Sequence, residues 1–305
     1  MRNEVTICFL ALCLLVVSIV ALGQQRSPAS SSPVVLTITT EPNAIVWIDE
    51  IRRGVTDSSG KLNLTKLKSG RHTVRIRANG FKETTTSLLP GRRQLSLKLP
   101  RATDEGELTF QQAEAAREQA RDDEARRKAV ELYQRALKLK PSLAAAHVGL
   151  ARVLLDLNEY NEALAQIAAA RRIRAVYPEA SAVEGRIQRE AAFDDEAIKS
   201  FRRSIREANG FQPEAHVGLA RALEEKGDMA QAIAEYRKAI DQLSDSEPVI
   251  YQLLGAAYER MQNYKDAVVA YEKYLELAPN GSLAPAVRSI VDQLRRDAAG
   301  QEIIP

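Results

Sequence analysis

The sequence predicts two folded parts, a small all-β sandwich followed by an all-α solenoid of stacked helical hairpins. Over residues 34–100, apolar residues alternate with polar ones, which is typical of strands. Farther along, an alanine returns at steps of 34, 34, 35 and 35 residues, at Ala129, Ala163, Ala197, Ala232 and Ala267. A period in the mid-thirties indicates units that bury their apolar faces only against their neighbours.

Composition and charge fit this division. The chain has 305 residues, of which 27% are charged and 45% hydrophobic, as in soluble globular proteins. Residues 34–100 hold 12 Lys and Arg against 5 Asp and Glu, a net charge of +7. Residues 101–305 hold 29 against 34, a net charge of −5. We therefore expect the basic and the acidic part to attract each other.

The first 23 residues are a targeting segment. Arg2 precedes an uncharged run over residues 5–22, and Ala21 and Gly23 are spaced as a signal peptidase requires. Residues 1–23 are therefore either a signal peptide, with Gln24 as the first mature residue, or an anchor in the inner membrane formed by residues 5–22. We expect an exported protein, periplasmic or extracellular. A Ser/Pro-rich linker follows at residues 24–33.

Both cysteines of the chain, Cys8 and Cys13, lie in this segment. A cleaved chain has no thiol for a disulfide, a metal site or a nucleophile. An exported protein without disulfides fits a bacterial envelope.

Residues 34–100 predict short strands broken by turns every 8–12 residues, hence a small β-sandwich. Motifs of this segment resemble the PEGA domain: Glu41-Pro42-Asn43-Ala44, Trp47-Ile48-Asp49, Gly54-Val55-Thr56, Ser69-Gly70-Arg71-His72 and Gly80-Phe81. Asn43 stands where that family has glycine, and Asn tolerates left-handed backbone angles. The resemblance implies a β-sandwich module of bacterial and archaeal surface proteins, used for binding or spacing rather than catalysis.

The rest of the chain predicts helices after a linker at 101–109, with Thr109 and Gln112 as a capping box. The last unit, with Gly255, Tyr258, Ala267, Tyr271 and Pro279, resembles the tetratricopeptide repeat. Five units resemble this family, at 110–143, 144–177, 178–212, 213–247 and 248–281. A capping helix is expected at 282–298, with Ala286, Val287, Ile290, Val291 and Leu294 facing inward, before a tail at 299–305.

The sequence shows no nucleophile–base pair, phosphate-binding loop or metal-spaced cluster, so we expect neither an enzyme nor a cofactor or metal site. The three histidines, His72, His147 and His216, are expected to be structural. Nucleic acid is not an expected partner, because the chain is exported and its aromatic residues are too few for a stacking platform.

The residues best suited to binding are three arginines on successive first helices. Arg152, Arg186 and Arg221 each stand eleven residues before a repeat alanine, a place that faces the concave groove in the resembling family. They could bind an acidic or C-terminal peptide segment. Alternatively, each pairs within its own helix, with Asp156, Glu190 and Glu225. Four further groove residues are candidates for specificity: Glu118, Asp122, Glu224 and Gln252.

These observations predict an exported bacterial envelope scaffold that binds protein or peptide partners through its concave groove. The alternative is a module that binds the cell wall or a polysaccharide, with the repeats as a spacer. In that case the basic β part contacts an anionic envelope polymer through residues such as Arg71, Arg75, Arg77, Arg92 and Arg93. The sequence also predicts that the two parts fold independently.

Overall fold

The computed structural model describes residues 36–301, except Glu50, 65–66, 68–69 and 244–246. The predicted targeting segment and the Ser/Pro-rich linker lie outside the described residues, as do positions 302–305 of the predicted tail. Within the described part, no helix is both long and apolar enough to cross a membrane.

The β part forms two small sheets that face each other. Its strands are β1 (Leu36–Thr39), β2 (Ile45–Ile48), β3 (Ile51–Val55), β4 (Lys61–Leu64), β5 (His72–Arg77), β6 (Thr84–Leu88) and β7 (Gln94–Ser96). One sheet has the order β4-β1-β7, with β7 parallel to β1, and the other has the antiparallel order β3-β2-β5-β6. We call this part the β module.

Alternation builds the core of the β module. Side chains that point inward from both sheets are buried: Leu36, Ile38, Val46, Ile48, Val74, Ile76 and Leu88. The polar residues between them face outward, as a period of two requires. The sandwich predicted from this alternation is confirmed.

Two turns depend on the backbone freedom of particular residues. Asn43 has φ 55°, the left-handed angle that its place in the turn motif required. At Gly60, φ is 77° and a Cβ would lie 2.0 Å from the carbonyl oxygen of Thr40. Only glycine can therefore occupy the position at residue 60.

The helical part is an array of antiparallel helix pairs. The described helices are α1 (Glu105–Gln119), α2 (Asp123–Leu139), α3 (Ala144–Asp156), α4 (Tyr160–Ile173), α5 (Pro178–Glu190), α6 (Asp194–Glu207), α7 (Pro213–Glu225), α8 (Met229–Leu243), α9 (Val249–Arg260), α10 (Tyr264–Leu277) and α11 (Ala284–Gln301). A β module followed by an α solenoid is the predicted fold class, which is confirmed.

Close helix crossings explain the periodic alanines. Ala129, Ala163, Ala197, Ala232 and Ala267 are all completely buried. Glycines on two of the first helices face aromatic rings of the preceding second helix. A Cβ at Gly149 would lie 2.5 Å from the Tyr133 ring, and one at Gly218 would lie 2.3 Å from the Phe201 ring. Small residues are therefore required where the backbones approach, and the rings fill the remaining space.

Both ends of the helical part differ from the sequence prediction. Helix α1 begins at Glu105 because the Asp104 side chain accepts the Glu107 N–H, so Thr109 lies inside the helix and is not a cap. At the other end, α11 begins at Ala284, which is buried, whereas Ala286 is exposed and does not face inward as expected. Val287, Val291 and Leu294 are buried as predicted, and Ile290 is partly buried against the same core.

Candidate functional site

The first helices of the pairs line a cavity of about 570 Å³, which the β module bounds on one side. Trp47, Arg75 and Arg77 come from the β module, and the helical part contributes residues of α1, α3, α5, α7 and α9, the end of α8 and the segments just before α7 and α9. We call this space the groove cavity. Its helical lining includes Glu114, Arg117, Glu118, Arg152, Glu179, Gln212, Pro213, Glu214, Val217, Leu243, Glu247, Val249 and Ile250.

The β module is held against α1 by polar contacts. The Gln111 side chain accepts the backbone N–H of Gly80 at 2.9 Å and donates to the carbonyl of Phe81 at 2.7 Å. The Arg101 guanidinium lies over the Phe81 ring at 4.5 Å, so the segment before α1 is also fixed. That the two parts fold independently stays a prediction. In the folded protein, directed contacts hold the β module against α1.

A charged network forms part of the cavity wall. Arg77 Nη1 donates to Glu114 Oε2 at 3.0 Å, and Arg77 Nε lies 3.2 Å from Glu83. Arg117 lies 3.5 Å from Glu114, and the Tyr133 hydroxyl donates to the same carboxylate. The pair Arg77–Glu114 joins the basic part to the acidic part, in the sense expected from their net charges.

Burial and charge act on Glu114 in opposite directions. Burial raises the pKa of this carboxyl, but Arg77, Arg117 and the Tyr133 hydroxyl outweigh burial and hold the pKa below its ordinary value. Burial and the Glu114 carboxylate both raise the pKa of Tyr133. Glu114 is therefore ionised at neutral pH and anchors three donors.

Trp47, the single tryptophan of the chain, is fixed by two guanidinium groups. Arg75 lies 4.2 Å and Arg77 lies 4.9 Å from the centre of its ring. Such cation–π contacts stabilise the ring in one position. The tryptophan therefore presents a preformed surface to the groove cavity.

Arg152 lies in the groove cavity, as predicted, but its charge is already matched. Its Nη2 donates to Glu179 at 3.1 Å and lies 3.7 Å from Glu214. Burial lowers the pKa of Arg152, but Glu214, Glu179 and Glu114 outweigh burial and raise it. Glu179 and Glu214 belong to the two following repeats, so their ion pairs with Arg152 link successive units rather than residues of one helix.

The other two arginines of the predicted series lie in different surroundings. Arg186 is 3.8 Å from Glu214, which it shares with Arg152. Arg221 is exposed and does not line the groove cavity. Among the described ion pairs, Glu190 and Glu225 are bound by Arg189 instead of Arg186 and Arg221. None of the three expected intrahelical pairs is among the described ion pairs, although Arg221 acts on Glu225 as a nearby charge.

The four specificity candidates are not brought together. Glu118 lines the groove cavity. Asp122 caps α2, since its side chain accepts the Ala125 N–H at 2.8 Å. Glu224 accepts the Tyr236 hydroxyl at 2.7 Å. Gln252 lies on α9, one turn from the cavity residue Val249, and is not among the lining residues.

The histidines bond to neighbouring helices or strands. His147 Nδ1 lies 2.7 Å from the Gln166 side-chain oxygen, and His216 Nδ1 lies 2.5 Å from Glu235. His72 Nδ1 lies 2.5 Å from Asp49, whose other oxygen accepts the Thr73 N–H. No group of three or more His, Cys, Asp or Glu side chains suited to a metal ion occurs within the described ranges.

Sequence reasoning missed several residues of the cavity. Glu179 and Glu214 carried a signal that could have found them, because each is the middle residue of Pro-Glu-Ala, at 178–180 and 213–215. Trp47, Arg75 and Glu114 carried no such signal, because their meeting depends on how the β module docks.

Comparisons with known proteins concern the helical part. Family models of the tetratricopeptide repeat match residues 120–187 and 211–280. Comparison with curated protein sequences gives no significant match.

Three solved structures illustrate the likeness in fold. PilF of Pseudomonas aeruginosa is 14% identical, with a TM-score of 0.53, over 64% of this chain and 88% of that chain. TTC0263, a tetratricopeptide repeat protein of Thermus thermophilus, is 21% identical, with a TM-score of 0.50, over 61% and 98%. MamA is 23% identical, with a TM-score of 0.45, over 51% and 90%. The two family matches show that residues 120–187 and 211–280 of this chain contain tetratricopeptide repeats.

Proposed function

We propose that the protein is a scaffold that binds a segment of a partner protein in the groove cavity. The observation that carries this proposal is the cavity of about 570 Å³ on the face formed by successive first helices. Its volume lies within the range of about 300–1,000 Å³ that ligand sites occupy. A segment of a few residues fits such a space.

The lining of the cavity supports a protein segment rather than a reacting small molecule. Apolar side chains, Val217, Val249 and Ile250, lie beside charged ones that are already paired, Arg152 and Glu179. This mixture resembles a protein interface, where an apolar centre is surrounded by polar groups. Nothing in the lining forms a nucleophile and base pair, so binding is the activity that we propose.

An acidic partner segment remains a proposal for the part of the surface beyond the cavity. Arg186 is about two-fifths exposed and Arg221 is exposed, so both can contact a carboxylate. Arg152 already has two carboxylates and contributes less. Replacement of Arg186 and Arg221 by alanine should weaken binding of an acidic segment more than replacement of Arg152 does.

Export to a bacterial envelope is also part of the proposal, and it rests on the sequence. The uncharged run at residues 5–22, the spacing of Ala21 and Gly23, and the PEGA-like motifs support it. N-terminal sequencing of the protein from its own cells tests it. A chain that begins at Gln24 in the envelope fraction is expected, recovery of the intact N-terminus in membranes indicates the anchor, and recovery in the cytoplasm contradicts export.

The alternative role, a β module that binds anionic envelope polymer, has less support. Two of its basic residues, Arg75 and Arg77, contact Trp47, Glu83 and the groove cavity rather than solvent. Arg71, Arg92 and Arg93 are exposed and remain its candidates.

A photo-crosslinking residue in the cavity tests the scaffold function. Val249 lines the cavity and is 45% exposed, so benzoylphenylalanine fits at this position. The matched control places the same residue at Phe193, which is 55% exposed and lies outside the cavity. Discrete protein adducts from position 249 and none from position 193 are expected. Equal adducts from both positions, or adducts from neither, contradict the proposal.

A further inference from the structure

The groove cavity has a feature that the repeats alone do not supply, because the β module builds one of its walls. Trp47 faces the same space as Val217 and Ile250 of the helical part. The bonds of Gln111 to Gly80 and Phe81, and of Glu114 to Arg77, fix this wall in place. A segment bound in the cavity must therefore touch both parts of the protein.

The positive and the negative side chains that line the cavity are not equally exposed to solvent. The cations are the more buried groups: the side chains of Arg77, Arg117 and Arg152 are 13%, 23% and 21% exposed. Three of the anions are more exposed: Glu118, Glu179 and Glu214 are 40%, 34% and 40% exposed, whereas Glu114 is 16% exposed and is paired with Arg77 and Arg117. A ligand that enters from solvent meets the carboxylates first.

Pairing within the protein explains this order. Arg77 lines the cavity, but it pairs with Glu114 and Glu83, so its charge is already matched within the protein. Arg152 draws Glu179 and Glu214 toward itself but leaves part of each carboxylate exposed. The most exposed of these charged groups are therefore carboxylates, although arginines make up much of the lining.

We propose that the groove cavity is a composite site for a segment carrying a lysine or arginine between apolar residues. Its cationic group bonds to Glu118 and Glu179, and its apolar neighbours pack against Trp47, Val217 and Ile250. This proposal rests on the proposed scaffold function and names the chemistry of the partner segment. The charge is opposite to the one that the arginine series suggested from the sequence, because Arg152 lies behind its glutamates.

Trp47 allows a direct test, since its fluorescence reports only on the cavity wall. The probes are two capped hexapeptides, Leu-Val-Lys-Leu-Val-Ser and the same peptide with glutamate in place of lysine. We expect the lysine peptide to change the Trp47 emission saturably and the glutamate peptide to bind at least tenfold more weakly. A preference for the glutamate peptide overturns the proposal, as does lysine-peptide binding, seen by calorimetry, without a change in Trp47 emission.

A double variant, Glu118→Gln with Glu179→Gln, tests the assigned carboxylates. Glu214 still lies 3.7 Å from Arg152 in this variant, so the arginine keeps a partner. We expect its affinity for the lysine peptide to fall about tenfold or more, as the loss of charge-assisted hydrogen bonds implies. The matched control, Glu131→Gln with Glu162→Gln, makes the same change in net charge at exposed positions of α2 and α4. Equal affinity in the two double variants overturns the assignment.

The two proposals fail in different ways. If benzoylphenylalanine at position 249 captures a partner but the lysine peptide does not change Trp47 emission, the scaffold function stands and the basic segment is wrong. If neither experiment detects binding, the scaffold function itself fails. Unchanged thermal unfolding of the double variant confirms that lost binding is not lost folding.

Discussion

The two ends of the helical array are closed in different ways. At the C-terminal end, α11 covers the last helix pair with Val287, Val291 and Leu294, all of which are buried. At the N-terminal end, the β module meets α1 through Arg77, Glu114 and Gln111. The C-terminal end is closed mainly by apolar burial, beside one exposed ion pair of Arg295 with Glu272, and the N-terminal end is closed by charges and directed hydrogen bonds.

This difference teaches how a solenoid can gain a fixed wall for a site in its groove. An apolar cap is nondirectional, and it only needs to exclude water from the last repeat. A charged contact fixes both partners in one geometry, because Glu114 holds donors from the β module, α1 and α2 together. The β module fixed in this way forms one wall of the groove cavity, which extends from α1 along the first helices to α9.

Loss of Glu114 should have the largest effect on stability. Glu114→Ala leaves Arg77, Arg117 and the Tyr133 hydroxyl without their shared carboxylate in a buried place. Breaking such a pair by removing one partner costs about 3–5 kcal/mol. Urea unfolding followed by circular dichroism measures the change, and Trp47 emission shows whether the β module separates first.

Gln112→Ala is the control for the Glu114 variant, because Gln112 is exposed on the same helix. If both variants unfold at the same urea concentration, charge does not close the N-terminal end and the comparison of the two ends fails.

Loss of a buried leucine at the C-terminal end should have a smaller effect. Leu294 is 3% exposed, and Leu294→Ala removes apolar contacts and leaves a cavity. Such changes cost about 2–5 kcal/mol, and we expect the lower part of this range because a terminal helix can shift to fill space. The effect should be the same in about 0.05 M and about 0.5 M salt, since no charge is involved.

Leu283→Ala provides the reference for this variant, because Leu283 is 40% exposed and should lose little stability. A strong salt dependence of the Leu294 variant would show that charge, such as the exposed pair of Arg295 with Glu272, holds α11 more than apolar burial does.

The contrast between apolar burial and charged contacts also explains which parts of the structure could be predicted from the sequence. Ala267 and Val291 obey a spacing that burial imposes, so the repeats and most of the inward face of α11 followed from periodicity. Trp47 and Glu114 are 67 positions apart and obey no common spacing, so their meeting depends on a docking geometry that no local pattern encodes. The candidate site was therefore predicted only in part, as arginines without their glutamates.

A histidine between the helices should make the free energy of unfolding depend on pH only where it faces a carboxylate. The same heptapeptide occurs at 146–152 and 215–221, but His147 faces Gln166 whereas His216 faces Glu235. Burial raises the pKa of Glu235, but bonds from His216 and Lys238 outweigh burial and lower it. A lowered carboxyl pKa stabilises the folded state above the unfolded pKa of about 4.3, and this stabilisation is lost as pH falls through the folded pKa.

Glu235→Gln should therefore lower the free energy of unfolding by about 1 kcal/mol at about pH 6. The difference from the parent protein should shrink as pH falls below the unfolded pKa of about 4.3, and it should disappear only below the lowered folded pKa, where the parent carboxyl is also neutral. Unfolding by urea at several pH values measures this dependence. Gln166→Glu at the other copy should introduce the same dependence on pH, and a parallel pH profile in all three proteins contradicts the assignment.

The smallest effect is expected at the turns between the helices of each pair, where one backbone position is left-handed. Ala192 has φ 61° and Gly227 has φ 81°, at equivalent turns of neighbouring units. A left-handed angle costs a residue with a Cβ about 1–2 kcal/mol, whereas glycine in the unfolded chain gains conformational entropy worth about 0.4–1 kcal/mol. Ala192→Gly should therefore raise the free energy of unfolding by about 0.5 kcal/mol, and Gly227→Ala should lower it by a similar amount.

No atom lies within 4 Å of a Cβ built at Gly227, so this change tests the backbone angle alone. Urea midpoints that move in opposite directions at unchanged slope support the role of the backbone angle. Midpoints that move in the same direction show that contacts of the alanine side chain, and not the backbone angle, decide stability at these turns.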